Sequence, residues 1–121
     1  MRRLKDGYPR FMAQGESLIK IGWSKKSKAE YQHKAPWDVV NLVARSTAKA
    51  KENGSLVTFD DFTPLTDKDG NEVPNYQVYL ALAWFRDAGL VDQEGRNGYK
   101  VDGSRLTDAM LQKKRELLPT A

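Results

Sequence analysis

Between residues 76 and 101 the apolar period of the chain changes once, across a single glycine, and no other feature constrains the fold as tightly. Counting back from Gly89, Phe85, Leu82 and Val78 recur at three- and four-residue spacing, which places them on one face of a helix. Gly89 stands directly after Ala88, where a helix end favours a residue that tolerates left-handed backbone. Beyond it, Leu90-Val91-Asp92-Gln93 and Tyr99-Lys100-Val101 are short β-prone runs joined by a tight loop, residues 94–98, and so read as a β-hairpin. A helix that passes through one glycine into a hairpin buries its apolar face only if other elements complete the core.

Those elements are legible on both sides. Pro36 suits the first position of a helix in which Trp37, Val40, Val43 or Ala44, and Thr47 or Ala48 point inward, with a stop expected at Asn53-Gly54. Leu56-Val57-Thr58-Phe59 is a short β-prone segment, and Asp60-Asp61-Phe62-Thr63-Pro64-Leu65 reads as a short second helix with acids at its positive end. Residues 66–73 are turn-forming, and Pro74 and Asn75 open the next helix. Ser104 is expected to cap a last helix in which Leu106, Ala109 or Met110, and Leu117 face the core. Upstream, residues 1–17 read as a loosely docked lead-in, Leu18-Ile19-Lys20-Ile21-Gly22-Trp23 as a strand, and residues 24–28 as a basic loop or helix start.

In order, the elements are helix, short strand, short helix, turn, helix, strand, loop, strand, helix. That order resembles the winged helix-turn-helix superfamily. The chain then reads as an α+β protein with a basic N-terminal extension containing a short strand, residues 1–34, and a winged-helix domain, residues 35–121. Ala88-Gly89-Leu90-Val91 is similar to the junction where the family's third helix enters the first wing strand. Gly95-Arg96-Asn97-Gly98 matches the wing tip, and Tyr99-Lys100-Val101 the returning strand. The likeness covers residues 35–118 and implies a fold rather than a reaction.

What it implies about function is binding of duplex DNA, with the third helix in the major groove and the wing beside it. Asn75, Gln77 and Arg86 are the polar residues on that helix able to reach bases or phosphates, with Arg96 and Lys100 on the wing; Asn97 also serves as half of an Asn-Gly turn. Tyr79, Leu80, Ala83 and Trp84 depart from the pattern and leave the outer side of the helix apolar. Such a face is normally covered. One cover is the extension, whose Leu18, Ile19, Ile21 and Trp23 need an apolar surface of their own; the other is a second copy or a protein partner docked on Tyr79, Leu80 and Trp84.

Charge supports contact with phosphates. The net charge is +4, yet residues 1–34 hold nine Lys/Arg against three Asp/Glu while the remainder is slightly acidic. Arg2, Arg3, Arg10, Lys20, Lys25, Lys26, Lys28 and Lys34 are candidate phosphate contacts or a solvated charge run, and Trp23 and Tyr31 flank them as stacking or packing residues. The chain is expected to act as a transcriptional regulator or DNA-binding accessory.

Other chemistries find little support. With no cysteine and the single His33, the usual transition-metal ligand sets cannot be assembled, and His33 reads as a surface or capping residue. Asp67-Lys68-Asp69-Gly70 has the wrong spacing for a calcium loop and reads as a turn. Asp60 and Asp61 suit a helix start. There is no phosphate-cradling glycine loop and no Ser/His/Asp arrangement of plausible spacing, so neither an enzyme nor a cofactor is expected. A composition that is 40% hydrophobic and 30% charged, without a membrane-length apolar run or a leader core, suggests a soluble cytoplasmic protein, nucleoid-associated if it binds DNA.

Overall fold

Three strands form where the sequence predicts one. The computed structural model describes residues 7–51, 55–95 and 98–120, and in it β1 (Arg10–Gln14), β2 (Ser17–Ser24) and β3 (Ala29–Pro36) make an antiparallel meander in the order β1-β2-β3. The expected strand is the middle one. Gly15, at φ +55°, supplies the left-handed backbone that the two-residue turn between β1 and β2 requires. Residues 25–28 turn β2 into β3, with Lys28 at φ +52° and the Ser24 hydroxyl accepting the Ser27 N–H at 3.2 Å. The lead-in expected to dock loosely is thus a strand from Arg10 onward, and the basic stretch 24–28 is a strand end and a hairpin turn.

α1 (Trp37–Ala50) follows β3 without a loop, and Pro36 sits at its cap, where a missing N–H removes no helical bond. Trp37, Val40, Val43, Ala44 and Thr47 are buried as the periodicity predicts, and the Thr47 hydroxyl is satisfied by the Val43 carbonyl at 2.6 Å. The expected stop at Asn53-Gly54 lies outside the described residues. β4 (Leu56–Val57) leads into a single 3-10 turn, Phe59–Asp61, rather than a second helix over residues 60–65. Pro64 explains the difference: it has no N–H to donate and disfavours helical backbone at Thr63.

α2 (Asn75–Asp87) ends as predicted at Gly89, which has φ +76°. The Leu90 N–H reaches the Phe85 carbonyl at 2.8 Å and the Gly89 N–H the Arg86 carbonyl at 3.1 Å, a Schellman closure that satisfies the last carbonyls. β5 (Val91–Gln93) and β6 (Tyr99–Val101) form the expected hairpin, and β4 adds to β6 to give a second antiparallel sheet in the order β4-β6-β5. α3 (Asp108–Glu116) starts later than predicted. Thr107, not Ser104, caps it by accepting the Met110 N–H at 3.2 Å; Ser104 lies in a 3-10 turn held by Asp102.

The protein is therefore α+β, with three helices and two small antiparallel sheets among the described residues. Both sheets feed one core: Phe11, Leu18 and Ala35 of the meander join Val40, Val43, Val78, Leu82, Phe85, Val91 and Val101. β3 runs against α2, and the chain end closes over β1 where the Ala13 N–H meets the Pro119 carbonyl at 2.8 Å.

Candidate nucleic-acid interface

α2 presents two different sides. Leu80 and Trp84 are each 1% exposed and belong to the core, Trp84 meeting Trp37 edge-on at 5.4 Å between ring centroids. The sequence places these two with Tyr79 on an open partner-binding face, and this is corrected: the meander that carries β3 lies along α2 and leaves neither available. Phe11 and Met12 stand beside Trp84 at the wall of the same groove. Tyr79 alone of the three stays exposed, at 52%, with its ring stacked on Phe59 at 4.4 Å.

The open sector of α2 carries Asn75, Tyr76, Tyr79, Ala83 and Arg86, positions that share one side of a 3.6-residue helix. Asn75 is exposed at the first helical position. Gln77 is half-buried and donates to the Tyr76 hydroxyl at 3.3 Å, so it faces away from the sector it is predicted to serve. Arg86 donates to the Gln93 side chain at 2.7 Å, which ties the helix to the hairpin. Burial pushes the Tyr99 phenol up, partly opposed by the nearby Arg86 charge. Lys100 is exposed on β6, while Arg96 and Asn97 lie outside the described residues, as do Arg2 and Arg3.

The basic residues of the meander divide by strand alternation. Lys20 pairs with His33 and shares its face, the side turned to α2, whereas Lys34 pairs with Ile19 on the opposite side. Lys34 therefore does not join the others. Lys25, Lys26 and Lys28 are exposed on the β2–β3 turn. None of these lysines has a carboxylate partner among the described residues.

Turn and helix meet at a cleft of about 460 Å³. Its cationic wall is Lys20 and Lys25 from the meander and Arg86 from α2, with the Tyr31 ring lying across β2; Tyr8 and Trp23 border it from the other face of the meander, where Trp23 pairs with Glu30. Among the described residues Asp87 is the one acid that lines it. Gly22 and Ala83 leave the space, one from each side. A Cβ at position 22 would fall on the Tyr31 ring, so the glycine is what lets that ring lie across β2. Tyr8 is fixed from outside: its hydroxyl donates to Glu30, which also accepts from Arg10 at 3.0 Å, and the hydrogen bond to that carboxylate holds the phenol above its usual range. From Tyr31 the rings continue through His33 at 5.1 Å to Tyr76 at a further 5.2 Å. His33, expected as a surface or capping residue, is a half-buried link in this row.

Sequence reasoning finds Lys25 and Arg86 separately but not the cleft, because nothing local announces that the β2–β3 turn arrives at the end of α2. Gly22 inside a β-prone run is the one signal that a ring or backbone approaches closely there. Elsewhere, Asp67 behaves as the predicted turn residue, its carboxylate accepting the Asp69 and Asn71 N–H groups at 2.9 and 3.0 Å. Among the described residues no cluster of His, Asp or Glu is arranged to hold a metal, and no helix is long and apolar enough to cross a membrane. Comparison with protein-family models, curated proteins and solved structures finds no match.

Proposed function

We propose that this chain is a nucleic-acid-binding winged-helix protein that engages duplex DNA, acting as a transcriptional regulator or a DNA-binding accessory. The observation that carries the reading is the convergence of Lys20 and Lys25 with Arg86 on one cleft, although about half the length of the chain separates the lysines from the arginine. Cations gathered from distant segments, reaching solvent and without carboxylate partners among the described residues, suit phosphate oxygens and release counterions on binding. The order α1, β4, 3-10 turn, α2, β5, β6, α3 and the pairing of β4 with β6 support the winged-helix assignment.

The binding surface differs from simple major-groove reading by α2. With Leu80 and Trp84 in the core, the duplex is held by Lys25, Lys26 and Lys28 on the turn, Asn75 and Arg86 on the helix, and Arg96 and Lys100 on the wing. Retardation of duplexes in a gel-shift assay at low salt tests this. Replacing Lys25, Lys26 and Lys28 by Ala is expected to weaken binding alike for all sequences and to reduce the log–log salt slope by about one for each phosphate no longer neutralised. Failure of the wild-type chain to retard any duplex at low salt would overturn the proposal.

A further inference from the structure

The cleft holds more than a phosphate needs. A duplex backbone is met by exposed cations on a convex surface, and the lysines at 25, 26 and 28 already supply that. Here the cations stand beside the Tyr31 ring around a space of about 460 Å³, within the roughly 300–1,000 Å³ of small-ligand sites. A ring with adjacent cations and the Asp87 carboxylate matches a ligand that has a flat π-face, a nearby negative charge and a polar edge able to donate.

We infer that this cleft receives one unstacked nucleotide from a single-stranded segment adjoining the duplex, an inference that rests on the nucleic-acid reading above. The base lies against Tyr31, its phosphate meets Lys20, Lys25 and Arg86, and Asp87 accepts from the base edge. A nucleotide still stacked and paired in a duplex cannot present its face to a ring, so the cleft selects an unpaired one. Two features favour a strand over a free nucleotide. Lys26 and Lys28 continue the positive charge beyond the cleft along the turn. The rings of His33 and Tyr76 continue the aromatic row from Tyr31, and Tyr76 is 47% exposed.

The test compares the full-length chain on a blunt duplex and on the same duplex carrying a single-stranded overhang of about six nucleotides, within the usual site size of a single-strand binding groove, by fluorescence anisotropy at one salt concentration. The overhang is expected to bind about tenfold tighter, the size of one base–aromatic stack. Ala83→Leu, which fills the cleft without changing charge, is expected to remove that advantage and leave blunt-duplex binding intact, with thermal melting as the check on folding. Tyr31→Ala, which removes the stacking ring and keeps every cation, is expected to remove the same advantage independently of the filled variant, while Tyr31→Phe, which keeps a ring, retains it. Equal affinity for the two duplexes would overturn the inference while leaving the proposed function standing. Absence of binding to either would overturn both. A free nucleoside monophosphate that displaces the labelled overhang duplex at the same concentration as the unlabelled overhang duplex does would overturn the commitment to a strand.

Discussion

At the scale of single residues, two glycines have opposite consequences although both are crowded. Gly22 is crowded by the far end of the Tyr31 side chain, which can swing aside, so its role concerns the shape of the cleft more than stability. Gly98 is crowded by backbone: a Cβ there would sit 2.6 Å from the Val57 carbonyl oxygen, at φ +127° where side chains are already strained. Neither β4 nor β6 can retreat without breaking their pairing, which joins Val57 to Tyr99. Gly98→Ala is therefore expected to cost about 1–3 kcal/mol, seen as a lowered melting temperature. A melting temperature equal to wild type would show that the β4–β6 pairing yields. The sequence marks Gly98 only as part of a turn, because its closest neighbour belongs to a strand far earlier in the chain.

Element by element, what was legible follows from how local each signal is. α1, α2 and the β5–β6 hairpin are read correctly because the apolar period of each helix, and for α2 the stop at Gly89, lie within a few residues of one another. β1 and β3 are missed because they are poor in β-branched residues; in β3 the inward Tyr31, His33 and Ala35 alternate with outward Glu30, Gln32 and Lys34, a pattern of period two made from residues of weak strand propensity. Lys34 is misassigned with them, since facing depends on register. The 3-10 turn Phe59–Asp61 is instead held by its ends: Asp61 accepts the Thr58 N–H at 2.7 Å, the main reason its carboxyl stays below the ordinary 3.8, with Lys51 assisting. A depressed folded value means that this stabilisation is fully present above the unfolded value and is lost as pH falls through the folded one. The melting temperature is expected to decline on acidification below about pH 4, and Asp61→Asn to lower it at neutral pH while making the decline shallower. An Asp61→Asn profile parallel to wild type would assign the decline to Asp38 and Asp102, whose carboxyls are depressed by Lys68 and Ser104.

For the whole molecule, the decisive fact is that the basic segment at the start of the chain is a sheet laid along α2. It answers in physical terms why α2 can carry Leu80 and Trp84 on the side away from Val78 and Leu82: the helix is buried from two directions, by the rest of the helical core and by the meander. The same placement brings the positive charge of the meander to the end of α2, so the element that completes the core also builds the cleft. Stability and binding should then fail together. A chain beginning at Trp37 loses Phe11, Leu18 and Ala35 from the core, uncovers Trp84 and strands the C-terminal segment that pairs with Ala13. Each large apolar side chain left in water forfeits about 1.5–3 kcal/mol, and a few of them equal the roughly 5–15 kcal/mol that a domain of this size has in total. The truncated chain is expected to lose its cooperative thermal transition and to bind a hydrophobic dye that the full chain does not. Were it instead to melt cooperatively within a few degrees of the full chain, the meander would be an appendage resting on an independently stable unit of the three helices and the second sheet, and the burial of Leu80 and Trp84 would need another cause.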